Sequence, residues 1–120
     1  MKKILIIEDN DTCTLLIRVM LKKIGIDNDS IIFKENGDDI MELLKNDDIG
    51  LILLDLTIPG GKSGRELLVD IRKVSDVPII IETAQTSFGV RDEMMKLGAN
   101  DYLSKPYSSD EFGNVIRKYL

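Results

Sequence analysis

Short apolar runs alternate along this chain with stretches in which apolar positions recur every third or fourth residue. The runs are Ile4-Leu5-Ile6-Ile7, Ile31-Ile32-Phe33, Leu51-Ile52-Leu53-Leu54, Ile79-Ile80-Ile81 after Pro78, and a weak fifth, Tyr102-Leu103. Continuous apolar runs bounded by turn residues read as strands buried on both faces. Such strands belong to parallel sheets covered by helices. The third run leads straight into Asp55, then into Leu56-Thr57-Ile58-Pro59-Gly60-Gly61.

Between the runs lie the helical stripes. Cys13, Leu16, Ile17, Met20, Leu21 and Ile24 follow the spacing of an amphipathic helix, and Gly25 supplies its stop. After a turn at Asn36-Gly37, Ile40, Leu43 and Leu44 mark a second, short helix. Leu67, Leu68, Ile71 and Val74 mark a third. Val90, Met94 and Leu97 mark a fourth, ended by Gly98, with Met94 and Met95 read as packing residues. Ser108 and Glu111 form a capping box for a fifth helix, whose face is Phe112, Val115, Ile116 and Tyr119. Five strand–helix alternations with short connections predict an α/β fold built on a parallel sheet. The 120 residues suit one domain over residues 1–120.

Composition narrows the function classes. Hydrophobic residues make up 43% and charged residues 31%, which points to a soluble globular domain. A net charge of −5 argues against direct nucleic-acid binding, which needs a basic face, and is compatible with a cation site. Cys13 is the only cysteine, so no internal disulfide or cysteine-based zinc cluster forms; on the apolar stripe it reads as a small core residue. The start resembles a secretory signal, but Glu8-Asp9-Asn10-Asp11 ends its apolar run after Ile7. No stretch is long enough to span a membrane, and the cytoplasm is the expected location. The chain has no histidine. That excludes histidine triads, histidine metal ligands and a phosphohistidine of its own, so histidine chemistry would have to come from a partner.

In open α/β sheets ligands bind outside the carboxyl ends of the strands. If all strands run parallel, one rim receives Glu8 and Asp9, Asp55, Thr83 and Lys105. Taken singly, each has an ordinary reading: a polar loop, a helix cap, a turn. Their joint arrival at the ends of different strands is what points to a site. Three carboxylates at close range repel one another, and burial raises the cost of ionising them. A hard divalent cation, Mg²⁺ or Mn²⁺, relieves both problems with oxygen ligands. Lys105 and Thr83 can serve a phosphoryl group, and a carboxylate can be the nucleophile that forms an aspartyl phosphate.

These residues resemble the receiver domain of two-component response regulators over essentially the whole chain. The marks are Glu8-Asp9, the apolar strand into Asp55, Pro59, Thr83-Ala84, and Tyr102 ahead of Lys105-Pro106. The resemblance implies a flavodoxin-like, doubly wound (βα)5 sheet of strand order 2-1-3-4-5. It implies Asp55 as phosphoacceptor, with Thr83 and Lys105 acting on the phosphoryl group. Mg²⁺ would be held by Asp9, Asp55 and the backbone carbonyl of Thr57, with Glu8 acting through a water. Thr83 and Tyr102 would form the switch, Thr57 and Gln85 would tune phosphoryl lifetime, and the Lys105-Pro106 bond would be cis. The implied partners are a histidine kinase or histidine phosphotransfer protein and a downstream output protein or domain, with no nucleic acid or membrane contacted directly. Phosphorylation would shift the surface of the fourth helix, fifth strand and fifth helix, and the domain would later dephosphorylate itself. It would be a signalling module and not an enzyme in the usual sense, either stand-alone or part of a longer protein.

Departures from the family pattern bear on kinetics and partner fit. The loop Pro59-Gly60-Gly61-Lys62-Ser63-Gly64 is one residue longer between the proline and the last glycine than the common pattern, Ile58 replaces a frequent methionine, and Glu82 stands where an apolar residue is usual and is expected to add negative charge. Asn100 and Val115 replace charges that pair many receivers, so a homodimer through Arg91, Asp92, Asp101 and Glu111 stays open. The competing readings are an aspartate-nucleophile hydrolase of the haloacid-dehalogenase type, for which Thr57 stands where a second Asp is expected, a flavodoxin-like cofactor binder, and a receiver-like binding module that is never phosphorylated.

Overall fold

The computed structural model describes residues 2–84 and 87–120. Strand and helix alternate five times: β1 (Lys3–Ile7), α1 (Asp11–Lys23), β2 (Ile31–Lys34), α2 (Ile40–Asn46), β3 (Ile49–Asp55), α3 (Gly64–Val74), β4 (Ile79–Thr83), α4 (Val90–Lys96), β5 (Asp101–Ser104) and α5 (Ser109–Arg117), with one short 3-10 turn at Asn28–Ser30. The strands form one sheet in the order β2-β1-β3-β4-β5, and every neighbouring pair is parallel. This is the doubly wound, flavodoxin-like sheet.

Two apolar layers follow from the alternation of side chains along a strand. Leu5, Ile7, Ile52, Leu54, Ile79 and Ile81 face one layer, closed by α2, α3 and α4. Ile4, Ile6, Leu51, Leu53, Ile80 and Leu103 face the other, closed by α1 and α5 through Ile17, Leu21, Phe112 and Ile116. Caps sit where the polar residues fall. Asn10 accepts from the Cys13 amide, and Ser63 with Glu66 and Ser108 with Glu111 form complete capping boxes. The Ser63 box lies inside the glycine-rich loop, where the periodicity gave no sign of a helix start.

Two stripe residues, Leu16 and Val74, and Met95, read as a packing residue, are not where the sequence puts them. Leu16 is 55% exposed, Val74 67% and Met95 37%. Only Ile17 and Leu21 of α1 are fully buried. The apolar arc of α1 is wider than its contact with the sheet, and the surplus forms one wall of a groove. Cys13 belongs to that wall, half-buried and outside the core. Val74 ends α3, and Met95 is turned one step around α4 from the buried Met94.

The start of α3 sets the position of the β3 terminus. The Gly64 amide donates to the Leu56 carbonyl, and a Cβ at Gly64 would meet the Asp55 carbonyl and come within 2.6 Å of the Leu56 Cα. Both neighbours are backbone and cannot step aside. Gly64→Ala is therefore expected to cost ~1–3 kcal/mol of stability, the range for overpacking, read as a lower urea midpoint. A midpoint equal to wild type would show that the close approach is not needed.

Candidate phosphoacceptor site

The alternation that builds the core also builds the site. On the α1–α5 side, β1 presents Ile4 and Ile6 and then Glu8; β3 presents Leu51 and Leu53 and then Asp55; β4 presents Ile80 and then Glu82; and β5 presents Leu103 and then Lys105. Four ionisable groups thus continue one face of the sheet at its carboxyl end. Asp55 and Glu82 are register partners across β3 and β4. Glu8, Asp55 and Glu82 are all buried.

Lys105 holds them together. Its Nζ donates to Asp55 Oδ2 at 2.8 Å and to Glu8 Oε1, and lies 3.8 Å from Glu82 Oε1. The Thr57 amide donates to Asp55 Oδ1 at 2.9 Å. The Lys105 amide donates to the Thr83 carbonyl at 2.8 Å, and the Lys105-Pro106 peptide is cis. Asp9 is exposed at the mouth of the site.

Burial and neighbours pull these groups in different directions. Burial alone would raise Glu8, but the neighbouring Glu82, Lys105 and Asp55 outweigh it and hold Glu8 down at about 2. Burial pushes Asp55 up against the opposing bonds from Lys105 and Thr57. Burial opposes the Lys105 charge, but Asp55, Glu8 and Glu82 together raise it. Burial and the neighbouring Glu8 push Glu82 up to about 8. Glu82 therefore holds its proton at neutral pH. Desolvation thus works against the negative charge that the sequence alone assigns to Glu82.

The residues expected to switch lie on the other face. Thr83 is fully buried at the end of β4, one residue beyond Glu82, and Tyr102 is 9% exposed within the α2–α4 layer. The Arg91 guanidinium carbon lies 5.9 Å from the Tyr102 ring centroid. Thr57 is exposed beside Asp55, and Gln85 lies outside the described residues. Sequence reasoning missed two members, Glu82 as part of the site and Tyr107 altogether. The Tyr107 hydroxyl donates to Glu82 Oε2 at 2.5 Å. The strand parity of Ile80 and Glu82 was the available signal for the first; the second depends on a loop path that no spacing encodes.

Among the described residues, Glu8, Asp9 and Asp55 form a group whose carboxylate oxygens all lie within 4.8 Å of one another. An all-oxygen, acidic donor set fits a hard divalent cation and not a soft one. The site stands between β1 and β3, where the strand order reverses, which is where open α/β sheets bind ligands.

An open parallel sheet with an acidic site at its switch point defines a flavodoxin-like domain. The chain belongs to the response regulator receiver domain family, whose model matches residues 4–117. The transcriptional regulatory protein CpxR of Escherichia coli K12 is 35% identical over 120 residues, 100% of this chain and 50% of that protein. The probable transcriptional regulator ycf27 of Porphyridium aerugineum is 34% identical over 119 residues, 99% of this chain and 48% of that protein. The chain spans about half the length of these curated relatives. Among solved structures, the BeF3-activated N-terminal receiver domain of Klebsiella pneumoniae RstA matches with a TM-score of 0.87 and 28% identity, covering 98% of this chain and 97% of that one. The receiver domain of the sensor histidine kinase PA1611 of Pseudomonas aeruginosa PAO1, with a magnesium ion coordinated in its active site cleft, matches with a TM-score of 0.83 and 27% identity over 98% and 96% of the two chains.

The raised Glu82 carries a pH signature for the metal-free protein. The folded state keeps its proton to about pH 8, whereas the unfolded chain releases it near the ordinary 4.5. The folded state binds more protons in that window, so the Glu82 contribution is complete below about pH 4.5 and is lost as pH rises through about 8. Urea titrations of wild type and Glu82→Gln are expected to diverge in that window, with the variant gaining by up to ~1.4 kcal/mol per pH unit. A difference that is flat with pH would place the Glu82 proton elsewhere.

Proposed function

We propose that this domain is a phosphorylation-controlled signalling module in which Asp55 accepts a phosphoryl group from a partner phosphohistidine, in a Mg²⁺-dependent reaction. The observation that carries the reading is the buried Asp55 carboxylate held between the Lys105 ammonium and the Thr57 amide, next to two further carboxylates.

Asp9, Asp55 and the Thr57 carbonyl would hold Mg²⁺, with Glu8 acting through a water; Mn²⁺ suits the same donors. When bound, the cation offsets the charge of the carboxylates and of the incoming phosphoryl oxygens. A carboxylate oxygen of Asp55 attacks phosphorus, and the bond from phosphorus to the donor imidazole nitrogen breaks. The electron pair of that bond leaves with the imidazole. Lys105 turns from the carboxylates toward the new phosphoryl charge, and Thr83 donates its hydroxyl to it. Positioning and charge stabilisation are most of what phosphoryl transfer requires of a protein. Water later cleaves the acyl phosphate in the same site, at a rate that Thr57 and Gln85 tune.

Movement of Thr83 and Tyr102 would bias the surface of α4, β5 and α5 between two states. That surface is read by a downstream output protein or by an output domain of a longer chain; the curated relatives, about twice this length, are named as transcriptional regulators. A homodimer on that surface would draw on Arg91, Asp92 and Glu111 rather than on Asp101 and Asn100. Asp101 is engaged within the chain by Tyr119 and Lys118, and Asn100 by Arg72. The donor would approach through the groove of about 510 Å³ that opens beside Lys105, walled by Cys13, Leu16 and Met20 on α1 and by Ala84, Pro106 and Tyr107 opposite. No described helix is long and apolar enough to cross a membrane; the cytoplasmic setting is proposed from the family.

Intact mass after incubation with acetyl phosphate tests the reading. One added phosphoryl group is expected on wild type with Mg²⁺, and none without Mg²⁺ or on Asp55→Ala. If acetyl phosphate leaves no adduct and a phosphorylated histidine phosphotransfer protein transfers none either, the phosphoacceptor reading fails.

A further inference from the structure

Glu82 is the feature that the phosphotransfer reading leaves without a task. It is fully buried, and its Oε1 is the buried side-chain atom that has no hydrogen-bond partner among the described residues. Buried polar groups are normally satisfied, and an exception asks for a reason. An apolar residue here would fill the α1–α5 layer at no such cost. What Glu82 does have is a bond on its other oxygen, from the Tyr107 hydroxyl at 2.5 Å.

Tyr107 is itself fixed. Its ring stacks on Phe112, with centroids 5.7 Å apart and planes 20° from parallel, and Phe112 is fully buried at the start of α5. The loop from Ser104 to Tyr107 is therefore tied to β4 twice. The Lys105 amide bonds the Thr83 carbonyl, and the Tyr107 side chain bonds Glu82. The first of these ties is on the Lys105 backbone itself and the second lies two residues on, and Glu82 Oε1 is 3.8 Å from the Lys105 ammonium.

We propose that the buried Glu82–Tyr107 pair is a positioning element of the phosphoacceptor site, holding the loop so that the Lys105 ammonium is presented to Asp55. The proposal rests on the phosphotransfer reading above. Neither residue touches the reacting atoms; both act through Lys105. The plainer alternative is that the pair only anchors α5, in which case its loss would lower stability and leave the chemistry alone.

Tyr107→Phe removes one oxygen and keeps the ring on Phe112. With acetyl phosphate at saturating Mg²⁺, and well below the melting temperature of each variant, its phosphorylation rate constant is expected to fall about three- to tenfold, the scale of one hydrogen bond. Mg²⁺ affinity by calorimetry should not fall, because the candidate ligands Glu8, Asp9 and Asp55 are retained and a displaced Lys105 ammonium competes less with the cation for Glu8 and Asp55. Glu82→Gln keeps an acceptor for the tyrosine and should fall less than Tyr107→Phe. Glu82→Leu should fall like Tyr107→Phe, and the double variant should fall no further. The Lys105 ammonium resonance should move in Tyr107→Phe and stay nearer its wild-type position in Glu82→Gln. A Tyr107→Phe rate within about twofold of wild type, or a fall in rate matched by an equal loss of Mg²⁺ affinity, would overturn the positioning role while leaving the phosphoacceptor reading intact. No adduct on wild type from any donor would overturn both.

Discussion

The Lys105 ammonium is the constraint on which this end of the molecule depends. Glu8, Asp55 and Glu82 arrive at one place because three strands deliver them on the same face. Two unit charges about 4 Å apart interact by ~4 kcal/mol at an effective dielectric near 20, so two buried carboxylates without a cation would oppose folding by a comparable amount. One ammonium bonded to both reverses that sign. It must come from a loop at the far side of the site, on β5, and the local structure serves to deliver it. The Thr83 carbonyl holds its backbone, and Tyr107 and Phe112 hold the loop behind it. The fold subordinates a whole connection to the placement of one nitrogen.

β4 has a particular part in this arrangement because its last two residues look opposite ways. Glu82 faces α1 and α5, where the carboxylates and Lys105 stand, and Thr83 faces the layer of α2, α3 and α4, where Tyr102 lies. The carboxylate cluster and the proposed readout are thus on opposite faces of one sheet, with Thr83 and Glu82 joined through a single peptide bond. A shift of the β4 terminus cannot move one face without the other. The Lys105 amide, bonded to the Thr83 carbonyl, adds β5 to the same unit. That gives the domain a physical connection between its acidic pocket and its α4 face, made of backbone rather than of a chain of side chains.

The fold was legible because five apolar runs in a parallel sheet leave little freedom in type or order, and each run became a strand within a residue or two of its expected ends. Glu8, Asp9, Asp55 and Lys105 were legible for the same reason: a residue that follows a buried strand has only the rim to occupy. The sequence was a poorer guide to helix faces. Leu16 satisfies helical periodicity and is still exposed, because periodicity gives the apolar arc but not how much of it the sheet covers. Glu82 was read as an added charge because the charge of a side chain is set by desolvation, and desolvation depends on packing from α1, α5 and the Tyr107 loop together. Tyr107 could not be read at all; its partner lies 25 residues away and meets it only through the path of one loop.

The neutral state of Glu82 also resolves an apparent excess of acid in the pocket. Counting formal charges, Glu8, Asp9 and Asp55 carry three negatives and Lys105 one positive, which leaves a balance of −2, the charge that a divalent cation matches. An ionised Glu82 would leave −3 and draw Lys105 away from Asp55 toward itself. Burial pushes Glu82 up to about 8 and so keeps the fourth carboxyl uncharged at neutral pH. It can then stand 3.8 Å from the ammonium without competing for it at full strength. A carboxyl in that state serves as a polar anchor for Tyr107, and the same burial that makes it costly above pH 8 is what makes it harmless to the site below.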